Sequence, residues 1–178
     1  MRISQAVLFL AFAFCTQFLQ GQDQDPVISV EWIDLLSKND LEAMLDPPQI
    51  IHDGYGWEDQ FEGSDEDSAY LKALQSVDVN PEFVNKRILI PGFIVPLAYN
   101  DDRKVTEFFL VPFFGACIHL PPPPPNQIIH VSYDRGVELV NFYDAHVIHG
   151  KLTSEIISND TATSAYHLEA EGVSIYSY

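Results

Sequence analysis

From Arg87 onward, apolar and polar positions alternate with a period near two, the period of a β-strand. Residues 87–97 (RILIPGFIVPL) read as a strand interrupted at Pro91-Gly92, ended by the turn chemistry of Asn100, Asp101 and Asp102. Residues 105–111 (VTEFFLV) read as a second strand. Residues 127–133 read as a third, turned by Asp134-Arg135-Gly136. Residues 145–153 form a fourth, and residues 165–171, continued through 173–176, a fifth. Five short strands, several carrying Gly or Pro, predict a mainly β protein built on a small, strongly bent barrel. Closure also removes the free edges on which apolar strands aggregate.

Upstream of residue 81 the pattern is different. Residues 27–30 and Trp32 make a short apolar entry, read as a strand or a docked extended segment. Asn39 is a good N-cap for a helix over 40–45, with Asp40 and Glu42 in its first turn, and Pro47-Pro48 stops it. Residues 53–67 carry three glycines and seven acidic residues, and read as a solvated loop. They lack the twelve-residue EF-hand spacing with its closing Glu. Ser68 caps a helix over 69–75, which residues 78–81 end.

The extreme N-terminus has Arg2 and then an apolar run from Ala6 to Cys15. That is the layout of a secretory signal peptide, with a cut after Gly21. The run is too short for a membrane-spanning helix, which needs about 20 apolar residues. Phe14 stands before Cys15, where a lipoprotein signal requires a small residue, so acylation at Cys15 is not the reading adopted. The organisation predicted is a signal peptide over 1–21, an N-terminal extension with short helices and an acidic loop over 22–80, and the barrel over 81–178. The mature chain is expected to be periplasmic or secreted, with no transmembrane segment.

Composition narrows the partners. Hydrophobic residues make up 47% of the chain, enough for a core. The net charge is −17 and becomes −18 once Arg2 leaves with the leader. Nucleic acid and anionic lipid both require basic surface, so neither is expected. An acidic surface favours solubility and draws cations.

The chemistry-bearing motif is Phe113-Phe114-Gly115-Ala116-Cys117-Ile118-His119-Leu120, followed by Pro121, Pro122, Pro123, Pro124, Pro125, Asn126 and Gln127. In an extended segment residues i and i+2 share a face, so Cys117 and His119 project together. With Cys15 removed, Cys117 is the only cysteine of the mature chain and no internal disulfide can form. It can be a buried small hydrophobe, a metal ligand, a reactive thiol or an intermolecular bridge. A thiolate and an imidazole suit zinc or copper. Further ligands are available in His130, His146, His149 and His167. His146 and His149, three apart in a strand, face opposite sides and cannot both join. The candidate metal set is Cys117, His119 and His130.

Two other readings stay open. A thiol- or metal-dependent enzyme would use Cys117 and His119, although no C-x-x-C, G-x-S-x-G or H-E-x-x-H motif accompanies them. A binding surface would use Phe113, Phe114, Pro121 to Pro125, Asn126 and Gln127. Five prolines form a polyproline II rod of about 15 Å at ~3.1 Å per residue. Exposed, the rod fits an aromatic groove; buried, it straps the barrel end, with Asn126 and Gln127 satisfying proline carbonyls or orienting His119. The strap is the reading adopted.

Residues 87–97, the block from Val105 to Gln127 with its C-x-H-L-P-P-P-P-P-N-Q core, the late Gly150-x-Leu152 and the ending Tyr166-x-Leu168-x-Ala170 resemble the bacterial DUF3299 family of exported proteins. The resemblance spans residues 27–178. It implies an OB-like five-stranded β-barrel and brings no established activity or catalytic residues. Some members lie near ABC-type or metal-responsive transport genes, which implies partners in an envelope transport system. The expectation is therefore an exported, non-enzymatic accessory or binding protein whose functional surface is the Cys-x-His-polyproline loop.

Overall fold

The barrel closes on one long strand, β2 (Arg87–Tyr99), which serves two partners in succession. In this computed structural model, which describes residues 25–47, 69–116 and 123–177, residues 87–92 of β2 pair antiparallel with β5 (His146–Ser158). From Phe93 onward β2 pairs antiparallel with β3 (Val105–Val111) instead. The handover falls at Pro91-Gly92. The two residues bend the strand and do not interrupt it, because Gly92 admits an approach that a side chain would block. A Cβ there would lie 2.8 Å from the Val111 carbonyl oxygen and 2.9 Å from Leu110 Cγ. The Trp32 indole N–H donates to the Pro91 carbonyl at 2.7 Å and secures the bend.

β3 pairs antiparallel with β4 (Ile129–Val137), β4 pairs parallel with β6 (Thr163–Ile175), and β6 pairs antiparallel with β5. The circuit β2-β3-β4-β6-β5 returns to β2, giving a closed five-stranded, OB-like barrel. A short extra strand, β1 (Ile28–Ser29), adds to β2 in parallel. The barrel is filled by inward residues of each strand, among them Ile88, Ile90, Phe108, Leu110, Ile129, Val131, Ile148, Leu152, Tyr166 and Leu168, all fully buried. Each such side chain contributes about 1.5–3 kcal/mol of transfer free energy.

The extension is helical but capped differently from the sequence reading. A 3₁₀ turn, Trp32–Leu35, precedes α1 (Lys38–Leu45), and the N-cap of α1 is Ser37, not Asn39. Ser37 Oγ accepts the Asp40 N–H at 3.2 Å and donates to Asp40 Oδ2 at 2.8 Å, a pairing open to Ser37 because Asp40 stands three residues on. α2 (Ala69–Ala73) is shorter than the 69–75 expected. Residues 1–21, read as a signal sequence, the segment 53–67, read as an acidic loop, and Ser68 lie outside the described residues. Among the described residues no helix is long and apolar enough to cross a membrane.

Outside the barrel a second apolar cluster covers the β2–β3 face. Phe109, Val111, Ala116 and Ile128 are buried there, with Phe93, Val95 and Leu97 packed against them. Ala116 and Ile128 belong to the connection between β3 and β4, so the two ends of that connection lie down on the sheet.

Candidate functional site

Alternation along the strands sets the site. In β4, Ile129 and Val131 point into the barrel, so His130 and Ser132 point out. In β6, Tyr166 and Leu168 point in, so His167 points out. The parallel register puts His130 opposite His167, and the antiparallel register of β3 and β4 puts Phe109 opposite His130 and Glu107 opposite Ser132. Four polar side chains thus share one outer patch of the sheet.

His130 Nδ1 and His167 Nδ1 are 3.0 Å apart. The ring planes differ by 27° and the centroids are 5.2 Å apart, so the rings meet edge to edge through these nitrogens. His167 Nε2 is 3.3 Å from Ser132 Oγ, and His130 Nε2 is 3.9 Å from Glu107 Oε2. The edge of the Phe109–His130 pair, at 5.9 Å and 77°, shields the imidazole from one side. The His130 side chain is 11% exposed and Glu107 55%.

The 3.0 Å Nδ1–Nδ1 contact is a hydrogen bond when one ring carries its proton on Nδ1 and the other accepts there. The Ser132 hydroxyl can donate to His167 Nε2 or accept from it. Burial, and then the neighbouring His167, hold the His130 pKa below the ordinary histidine value, against weaker opposing pulls from Glu107 and Glu155. Ser132 and His167 also line a cleft of about 350 Å³ that includes Arg135 and Glu169.

The residues of the sequence motif fall in different places. Cys117, His119, Pro121 and Pro122 lie outside the described residues. Phe113 and Phe114 are exposed, and Phe114 contacts Phe93 at 6.2 Å and Tyr143 at 4.5 Å between ring centroids. Pro123 is half-buried, Pro124 is buried, and Pro125 opens a 3₁₀ turn, Pro125–Gln127. Asn126, expected on a binding surface, is fully buried. Its amide donates to Asp40 Oδ2 and to the Asp78 carbonyl, each at 2.9 Å, and so it ties the extension to the barrel in place of serving proline carbonyls. Gln127 is half-buried and donates to the Trp32 carbonyl at 2.8 Å.

Among the described residues, His146 and His149 do not join His130. His146 and His149 lie on opposite faces of β5. His146 is buried with Nδ1 2.9 Å from the Asp144 carbonyl, and burial lowers its pKa. His149 Nδ1 is 3.7 Å from Glu171 Oε2, in a cluster where Arg87 also binds the Glu171 carboxylate. Among the described residues no three side chains of His, Cys, Asp or Glu converge as a complete metal cage. Sequence reasoning had His167 among several candidates but did not single out Glu107 or Ser132. Their signal was present as polar residues at the outward positions of apolar strands.

Residues 32–175 match the sequence model of DUF3299, described as a protein of unknown function. Among solved structures the chain is similar to a DUF3299 family protein from Pseudomonas aeruginosa, with 28% identity and a TM-score of 0.64 over 86% of this chain and 98% of that one. No curated protein matches.

Proposed function

The chain belongs to the DUF3299 family, and from that premise we propose that it is an exported, non-catalytic binding protein holding one transition-metal ion, zinc or copper, between His130 and His167. The observation that carries this reading is the meeting of two Nδ1 atoms at 3.0 Å while both Nε2 atoms face outer partners. When each imidazole carries its proton on Nε2, two lone pairs face each other and call for a cation between them. A neutral imidazole nitrogen is a good ligand for zinc and copper. Two nitrogens bound to a tetrahedral zinc at about 2.05 Å stand about 3.3 Å apart, so the ion replaces the bridging proton and opens the pair by about 0.3 Å. A ligating histidine backed by a carboxylate or other acceptor is the usual arrangement of such centres. The net charge of −17 adds attraction for cations.

Two imidazoles are part of a ligand set. In this reading Cys117 and His119 supply the rest. Cys117 follows directly on Ala116, which packs with Phe109, and Phe109 meets His130. The test is native mass spectrometry of the mature protein with zinc and with copper, together with thiol titration before and after chelation. One ion per chain is expected, lost in His130→Ala and in His167→Ala, with Cys117 protected until the chelator is added. A wild-type protein that retains no ion overturns the reading.

A second reading rests on the hydrogen bonds from Ser132 through His167 to His130 beside the cleft, with the Glu107 carboxylate 3.9 Å beyond. That order suits an activated serine nucleophile, and it moves the enzymatic alternative from Cys117 to Ser132. Labelling of Ser132 by a fluorophosphonate in the metal-free protein supports it, and an inert Ser132 rejects it.

A further inference from the structure

We infer that the exposed aromatic end of the barrel, built on Phe114 and Tyr143, is a docking surface for a cationic amphipathic segment of another protein, one that combines Lys or Arg with apolar side chains. The inference stands apart from the metal reading and uses none of its residues.

The surface begins where the second apolar cluster reaches water. Phe93 packs on that cluster, and Phe114 meets Phe93 edge to face, with ring centroids 6.2 Å apart and planes at 69°. The Tyr143 ring lies against Phe114 at 4.5 Å and 37°. Their chain neighbours Phe113 and Phe142 are exposed as well, Phe142 by 54% and Tyr143 itself by 69%. A lone exposed apolar side chain is ordinary, whereas rings that touch one another and stay open to water mark an interaction surface.

The surface is held in place before any partner arrives. Asn141 Nδ2 donates to Asp144 Oδ1 at 2.9 Å, the Tyr143 N–H donates to Asn141 Oδ1 at 3.2 Å, and the Asp144 N–H donates to the Asn141 carbonyl at 3.3 Å. Residues 141–144 are thus a turn bonded within itself. The Tyr176 N–H donates to the Ala145 carbonyl at 2.8 Å, and His146 pairs with Gly92 and with Ile175, which fixes the turn to β2 and β6. Little ordering is left to oppose binding.

Charge decides which partner fits. Arg87 and Lys151 pair with each other five residues along the strands from the Gly92–His146 pair, about 17 Å away at ~3.3 Å per residue. Arg103 and Lys104 precede β3, at the end opposite Phe113 and Phe114, and Arg135 lies on β4 toward Val137, which pairs with Val105 at that same far end. Among the described residues, the barrel strands and their flanks therefore put no Lys or Arg at the aromatic end, while Asp144 follows Tyr143 directly. Lys and Arg bind over aromatic faces, as the Arg135 guanidinium does within this chain, 5.1 Å from the centre of the Tyr133 ring. The net charge of −17 adds attraction for such a partner. It also opposes the other occupants: a second copy would set Asp144 and a like charge against its own, and an anionic lipid surface is repelled in the same way.

The experiment uses the mature protein and a fluorescein-labelled amphipathic helix of leucine and lysine, read by anisotropy. Its leucine–glutamate counterpart and a lysine–serine peptide of equal charge are the controls. The leucine–lysine peptide is expected to bind, and both controls to bind about tenfold more weakly or worse. Phe114→Ser and Tyr143→Ser are each expected to weaken it about tenfold or more, the loss of an aromatic at the centre of an interface. Asp144→Asn still accepts from Asn141, and is expected to weaken binding several-fold in low salt and little in high salt. Circular dichroism reports the fold of each variant, and Tyr143, in an exposed turn, keeps the test open if Phe114→Ser does not fold. Wild-type affinity in folded Tyr143→Ser overturns the inference, because the peptide then answers to net charge alone. A wild type that does not bind the peptide overturns it too. So does a dimer in sedimentation, or binding to phosphatidylglycerol vesicles, that Tyr143→Ser abolishes.

Discussion

The phenol of Tyr166, inside the barrel, donates to the Leu35 carbonyl at 2.7 Å and accepts the Asn80 N–H at 2.7 Å. One side chain of β6 thus satisfies two backbone groups of the N-terminal extension. Removing the hydroxyl in Tyr166→Phe leaves these two groups only the longer bond they make to each other, Asn80 N–H to the Leu35 carbonyl at 3.3 Å. The variant is expected to lose about 1–3 kcal/mol, the scale of one weakened buried polar site. Urea denaturation against the wild type measures it.

The same phenol sets the alkaline limit of stability. Burial pushes its pKa up to about 12, against a smaller downward pull from the Asn80 N–H. The folded state therefore holds its proton after the unfolded state, near 10, has released one. This contribution is whole below about pH 10 and is lost as pH rises toward about 12. Ultraviolet titration is expected to show one tyrosine ionising late, and Tyr166→Phe is expected to remove it.

At the acid side His130 and His146 act. Both pKa values lie below the ordinary histidine value, chiefly because burial disfavours the charged ring. The unfolded chain then binds protons that the folded chain refuses. Stability is present above about pH 6.5 and falls as pH drops below it. Denaturant midpoints of the metal-free protein at pH 7.5 and 5.5 are expected to differ in that sense, and less so in His146→Gln.

Gly150 in β5 faces β6 at a register shift, and a Cβ there would lie 2.1 Å from the Glu169 carbonyl oxygen. Backbone cannot yield as a flexible side chain can. Gly150→Ala is expected to destabilise by about 3 kcal/mol, the upper end of ordinary overpacking. A thermal melt checks it.

Asn126→Asp would place a second carboxylate within 2.9 Å of the Asp40 Oδ2. Two buried like charges cannot both ionise, so the variant is expected to be much weaker than wild type at pH 7 and to recover part of the difference near pH 4. Equal losses at the two values would argue against charge as the cause.

The sequence alone determined the strands, because their period is local. β3 runs over 105–111 as its alternation predicts, and β2, β5 and β6 stand where the pattern puts them with slightly different ends. β4 begins at Ile129, since Gln127 belongs to a 3₁₀ turn, and it runs on through Asp134-Arg135-Gly136, which the sequence reading takes as a turn. The sequence also supplied the bend at Pro91-Gly92, though as an interruption, since a lone sequence does not show that one strand can change partners there. Pairing belonged to the tertiary structure. His130 and His167 are 37 positions apart, and only the parallel register of β4 on β6 brings them to 3.0 Å. Asn126 looked like surface beside five prolines, and is inside because the extension folds over it and brings Asp40 and Asp78 to its amide. Side-chain period is written in a few consecutive residues. Which face meets which partner depends on barrel closure, and that is a property of the whole chain.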